Sequence, residues 1–200
     1  MSEAPLEFWF EFASSYSYPA AMRIEARASA VGVAVVWRPF LLGPIFQDQG
    51  WNDSPFNIYP AKGRYMWRDL ERLCEKYRIP FRRPGIFPQR SILAARLALA
   101  AANEPWLPNL VQSVFRANFA EAADISDAST LARILARLGQ DTSHWLGLAA
   151  EQAVKDALRR QTDEAAKMGI FGAPTFVSGG EIFWGNDRLE DAIAWHKLHA

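Results

Sequence analysis

From Leu6 to Phe12 the chain alternates as a half-buried strand does: Leu6, Phe8, Phe10 and Phe12 fall on one face, and Glu7, Trp9 and Glu11 on the other. The strand gives way to Ala13-Ser14-Ser15-Tyr16-Ser17-Tyr18, where a helix is predicted to begin with Ser14 at or just before its first turn. Backbone N–H groups at a helix start lack intrahelical partners and sit at the positive end of the dipole, so Ser14 occupies a place suited to an anion. A thiolate is such an anion. Further on, Val31-Gly32-Val33-Ala34-Val35-Val36-Trp37-Arg38 is rich in β-branched residues and ends at Pro39, which reads as a buried second strand. The spacing suits a βαβ unit.

Beyond it, Leu41 to Tyr59 is rich in Gly, Pro, Asn and Asp, with Phe46, Trp51, Phe56 and Tyr59 interspersed, and is expected to be a long functional loop. Helical periodicity follows through Tyr65–Tyr77, Ser91–Asn103, Leu107–Ala120, Ser129–Leu138 and Glu151–Lys167, broken at prolines, glycines and Ser126-Asp127. Thr175-Phe176-Val177 and Glu181-Ile182-Phe183-Trp184 flank Ser178-Gly179-Gly180 as a hairpin, and a last helix starts at Asp187.

The chain has one cysteine, Cys74, on the inward face of a predicted helix with Leu70, Leu73 and Tyr77. It is expected to pack as a small hydrophobe. One cysteine excludes an intramolecular disulfide and a Cys-rich metal site, and with them thiol–disulfide oxidoreduction. Formal net charge is zero and the basic residues are scattered, which argues against nucleic acid and acidic membranes as partners. Met1-Ser2-Glu3-Ala4-Pro5 lacks the basic opening of a signal peptide, so the expected compartment is the reducing cytoplasm, where glutathione is abundant.

These elements compose an α/β chain of thioredoxin-like fold interrupted by a helical insertion domain. Residues 1–40 and 169–200, with part of the 161–168 helix, are expected to form the first unit, and 41–168 a loop plus the insertion. Four ordered motifs carry a resemblance: Phe10 to Tyr18; Lys62-Gly63-Arg64-Tyr65-Met66; Gly169-Ile170-Phe171-Gly172-Ala173-Pro174-Thr175-Phe176; and Phe183-Trp184-Gly185-Asn186-Asp187-Arg188-Leu189. Together they resemble the signatures of the 2-hydroxychromene-2-carboxylate isomerases, which belong with the kappa-class glutathione transferases and are DsbA-like in fold.

The resemblance implies that Ser14 contacts the sulfur of glutathione, and that Ala173-Pro174 has a cis peptide bond whose preceding N–H and C=O pair with the cysteine of glutathione. It also implies that Asn186, Asp187 and Arg188 receive the γ-glutamyl end and Lys62 the glycine carboxylate. Asn52 would assist Lys62, with Asn57 as its rival. The family usually reads Ser-Pro-Tyr where this chain has Ser14-Ser15-Tyr16, and Leu where it has Pro19. These departures bear on the helix start, because a proline presets φ there and kinks a helix farther in.

The implied activity is cis–trans isomerisation of 2-hydroxychromene-2-carboxylate or a similar small aromatic carboxylate. Glutathione would add as a thiolate to a conjugated double bond and leave again after rotation, probing a pocket lined from Trp51, Phe56, Tyr59, Tyr65 and Trp67. Tyr65 and Trp67 cannot share a helical face, so at least one packs elsewhere. A kappa-like transferase would use the same residues and release a stable conjugate, whereas a noncatalytic peptide-binding or chaperone-like protein would use only the groove beside Pro174. A serine hydrolase is disfavoured: His144, His196 and His199 are the only histidines, and no Gly-x-Ser-x-Gly elbow is present. Related proteins are usually dimeric, so a homodimer is expected.

Overall fold

A computed structural model describes residues 5–199. The alternating segment becomes a strand at Leu6–Phe10 (β1) and pairs on one side, in parallel, with Val35–Pro39 (β2). On its other side β1 pairs antiparallel with Thr175–Ser178 (β3), which continues into Glu181–Trp184 (β4), giving the order β2-β1-β3-β4. Trp9 stands opposite Thr175 in this register, so the turn leaving β1 and the residues entering β3 come out at the same end of the sheet. That juxtaposition brings Ser14 to Ala173 across a sequence separation of 159 residues.

The two faces of β1 bury into different cores, as its period of two requires. Phe8 and Phe10 join Phe12, Trp37 and Phe176 in the larger core, while Trp9 packs with Phe40, Leu42, Ile45, Ala165, Ile170 and Val177 on the opposite face. Burying an aromatic or aliphatic side chain of this size stabilises by about 1.5–3 kcal/mol each. The larger core runs without a break into the helices between the strands, through Leu110, Val114 and Phe115.

The helix after β1 is divided into Ser17–Ala21 (α1) and Ile24–Ser29 (α2), with the Arg23 N–H bonding back three residues to the Ala20 carbonyl at the break. Pro19 lies in the first turn of α1, where its missing N–H would have had no intrahelical partner, so it fits without a kink.

The expected loop from Leu41 to Tyr59 contains helices at Leu42–Asp48 (α3) and Pro55–Ile58 (α4). Gly43 and Pro44 obscure α3 in the sequence, yet a first-turn proline is tolerated and Leu42, Ile45 and Phe46 recur at helical spacing. Ser54 caps α4, accepting from the Phe56 N–H at 3.3 Å, and Pro55 takes its first position. Pro60–Tyr77 (α5) follows at once. A β-carbon on Gly63 would land on the Phe56 carbonyl, so glycine is what lets α5 close against α4.

The remaining helices are Ile92–Ala100 (α6), Leu107–Phe119 (α7), Ala128–Arg137 (α8), Thr142–Ala150 (α9), Gln152–Lys167 (α10) and Leu189–His199 (α11). The periodicity missed α9 because it is poorly amphipathic, with Ala149 as its buried residue. Its start is fixed by Asp141, whose carboxylate accepts from the His144 N–H at 3.0 Å. Cys74 is buried in the larger core, and burial pushes its thiol up to about 12. No described helix is long and apolar enough to cross a membrane.

Candidate functional site

The turn after β1 is tied by the Ser14 N–H to the Glu11 carbonyl at 2.9 Å. The Ser14 hydroxyl is then fixed from two sides: it accepts from the Ser17 N–H at 3.2 Å and donates to the Ala173 carbonyl at 2.8 Å. Its orientation therefore depends on both halves of the split fold. The expected helix dipole contributes little here, because α1 has only five residues; oriented N–H and hydroxyl groups remain as the local donors. The neighbouring Ser15 and Ser17 hydroxyls are buried without a hydrogen-bond partner among the described residues.

The Ala173–Pro174 peptide bond is cis, as the motif implied, and so is Phe87–Pro88. The Pro174 carbonyl accepts from the Gly185 N–H at 2.9 Å, which holds the start of Asn186–Arg188, a short 3-10 turn, beside the cis bond.

Ser14 and Ala173 open onto a cavity of about 990 Å³ between the sheet end and α3, α4 and α5. Lys62 and Asn52 line the same cavity. Asn57 is engaged elsewhere, donating to the Asp53 carboxylate and, at 3.1 Å, to the Phe87 carbonyl. Lys62 is exposed, pairs with no carboxylate among the described residues, and has its ammonium 4.8 Å from the centre of the Tyr59 ring.

Aromatic residues from four separate stretches form much of the wall: Tyr16, Phe46 with Trp51, Phe56 with Tyr65, and Phe171 with Trp184. Trp67 turns inward instead and packs edge-on against Phe87 at 4.8 Å. A β-carbon at Gly172 would meet the Trp184 indole nitrogen, so that glycine lets the exposed Phe171–Trp184 pair close over this end.

Asn186, Asp187 and Arg188 do not line the cavity. Asn186 is buried, with its carbonyl and side-chain oxygen accepting from Arg23 at 3.3 and 3.2 Å. Asp187 and Arg188 are exposed and pair with each other at 3.1 Å. Arg23 was not singled out in the sequence; it lies between α1 and α2, stacks on Tyr77 and also reaches Glu190 at 3.0 Å. None of the three histidines lines the cavity, and His196 is buried 2.9 Å from Ser178, so no histidine stands beside Ser14 in the manner of a hydrolase triad.

A second unforeseen residue is Glu11, which lines the cavity three positions before Ser14 although it is only 7% exposed. Its carboxylate accepts from the Ala13 N–H at 3.1 Å. Burial pushes this carboxyl up to about 7, against the opposing effect of the Ser91 side chain and the Ala13 and Phe12 N–H groups.

Comparison with known proteins agrees with the motifs. The chain is 28% identical over 187 residues to a 2-hydroxychromene-2-carboxylate isomerase of Sphingobium xenophagum, covering 92% of this chain and 94% of that one. It is 26% identical over 208 residues to glutathione S-transferase kappa 1 of Rattus norvegicus, covering 95% and 90%. A solved 2-hydroxychromene-2-carboxylate isomerase superposes with a TM-score of 0.88 at 26% identity, over 98% of this chain and 95% of the other. The model of the DSBA-like thioredoxin domain matches residues 5–193. With the four-stranded sheet, the helical insertion and the cis-proline loop all falling inside that match, the chain belongs to the DSBA-like thioredoxin domain family.

Proposed function

We propose that this protein is a glutathione-dependent cis–trans isomerase of 2-hydroxychromene-2-carboxylate or a similar aromatic acid. The observation that supports this reading best is the meeting of Ser14, Ala173, Asn52 and Lys62 at one aromatic-walled cavity.

Glutathione binds with its sulfur at Ser14. The Ser14 hydroxyl then turns from the Ala173 carbonyl to the sulfur while still accepting from Ser17, and the freed carbonyl accepts the cysteinyl N–H of glutathione. One hydrogen bond is exchanged for two, one of them charge-assisted. Lys62, assisted by Asn52, receives the glycine carboxylate. Asp187 and Arg188, exposed outside the cavity wall on the turn beside the cis bond, receive the γ-glutamyl end, with Arg23 holding the buried Asn186 that starts that turn.

The thiolate adds to the conjugated double bond, the resulting single bond rotates, and elimination restores the double bond in the other geometry. Glutathione is regenerated, so it acts as a catalyst. The apolar walls accept a flat ring, and a site that buries most of such a ligand suits a cavity of this size.

Lys62→Ala is expected to weaken glutathione binding by about 1.5–3 kcal/mol, the range for a charge-assisted hydrogen bond. Calorimetric titration measures this, and wild-type affinity in the variant would remove Lys62 from the proposed orientation. The kappa-class relatives favour a second reading, transfer to a stable conjugate. Mass analysis after incubation with an electrophile separates the two, since an isomerase returns product without added glutathione mass. The protein is further proposed to be a homodimer, for which light scattering at micromolar concentration should give twice the chain mass.

A further inference from the structure

We infer that Glu11 is the proton acceptor for the glutathione thiol, holding on its carboxyl the proton that sulfur loses as it becomes the nucleophile. The inference rests on the proposed placement of that sulfur at Ser14. Three observations converge on Glu11. It is a buried carboxyl at the cavity wall. It belongs to the same short turn as Ser14, whose N–H bonds to its backbone carbonyl at 2.9 Å. Serine is far too weak an acid or base to take the proton itself, and the three histidines lie outside the cavity lining.

The surroundings of Glu11 suit a group that changes charge during a reaction. The Ser91 side chain at the start of α6 and the N–H groups of Phe12 and Ala13 face its carboxyl, and no charged side chain contributes to its displaced titration. The other ionisable groups along the cavity are Lys62, Asp53, Tyr16 and Tyr65, with Tyr16 donating to Asp69 at 3.0 Å. Burial pushes Glu11 up to about 7, so above that pH it is ionised and available to accept.

Charge conservation gives the arrangement its advantage. An ionised Glu11 beside a second anion would repel it, but transfer from S–H to the carboxylate yields a thiolate and a neutral carboxylic acid. The pair carries one negative charge before and after, and its two protonation steps belong to both groups together.

In the transfer the S–H bond breaks and an O–H bond forms on Glu11. The sulfur electron pair makes the C–S bond while the π pair moves into the conjugated system. After rotation that pair re-forms the double bond and sulfur leaves with its own electrons. The proton returns from Glu11 to sulfur when glutathione departs as the thiol, and no external oxidant or reductant is needed.

The test titrates wild type and Glu11→Gln with glutathione at about pH 8, below the ordinary thiol pKa of about 8.5. Heats are read in two buffers of different ionisation enthalpy, and thiolate absorbance is read in parallel. In wild type, thiolate should form with nearly no proton released to buffer, since the proton stays on Glu11. In Glu11→Gln, affinity should remain within roughly threefold, as the peptide anchors are untouched, while each thiolate formed releases about one proton. The acid limb of kcat/KM, expected near pH 7 in wild type, should move to the titration of the glutathione thiol itself in Glu11→Gln and stay with the carboxyl in Glu11→Asp.

Release of about one proton per thiolate by wild type would overturn the assignment, as would glutathione bound only as the thiol. Unchanged proton release, thiolate titration and turnover in Glu11→Gln would also overturn it, while leaving the proposed function intact. Absence of glutathione binding by wild type would overturn both. Should Glu11→Gln fail to fold, the wild-type proton count decides alone.

Discussion

Ser14→Ala is expected to slow turnover by roughly 10²–10³-fold, the loss that follows removal of one oriented donor to a developing anion. It should also raise the pKa of the bound glutathione thiol, which in wild type is expected to lie below the ordinary value of about 8.5. The reason is in the hydroxyl's two bonds: Ser17 N–H fixes the oxygen and Ala173 supplies a resting acceptor, so the proton of the hydroxyl has little freedom to lose when sulfur arrives. In the alanine variant the thiolate loses that donor, and its remaining help comes from N–H groups on a helix too short to carry a strong dipole. Glutathione affinity should change far less, because Lys62 and the Ala173 backbone still hold the peptide. The measurements are thiolate absorbance of bound glutathione against pH and turnover of a hydroxychromene carboxylate. An unchanged thiol pKa with unchanged turnover would take Ser14 out of the mechanism.

The parts of this site that were legible in the sequence are those written in local pattern. Leu6 to Phe12 declares a strand by alternation, and Ala173-Pro174 stands where a short hairpin begins, so the two can be placed at one sheet end once the fold is known. Glu11 was not legible, because alternation groups it with Glu7 as a polar side chain. Its carboxyl is met by the side chain of Ser91, the residue just before α6 and far along the chain. Arg23 is similar: nothing local distinguishes it from Arg27, yet one is buried against Asn186 and Tyr77 while the other is exposed. α3 was hidden by Gly43-Pro44, residues that signal a loop but are harmless in a first turn. Helix propensity is outweighed there by the apolar contacts of Leu42 and Ile45 beneath the sheet.

Phe115→Ala is expected to cost about 3–5 kcal/mol, the range for truncating a fully buried phenylalanine. Phe115 sits on α7, within the helical insertion, with no exposed surface. Its ring centre lies 5.0 Å from that of Phe12, 6.0 Å from Phe10 and 6.3 Å from Tyr18, so one side chain joins the insertion to β1, to the turn before Ser14 and to α1. Because these contacts cross the boundary between the two units of sequence, the cavity left by alanine should weaken both sides together. A chain of this length loses roughly 2–4 °C in Tm for each kcal/mol, so the expected fall is on the order of 6–20 °C. Wild type and variant should each melt in one cooperative transition by calorimetry, with tryptophan fluorescence and far-ultraviolet dichroism changing together. Two separable transitions, with only one displaced by the substitution, would show that the insertion and the sheet hold their own stability and that the continuous core does not couple them.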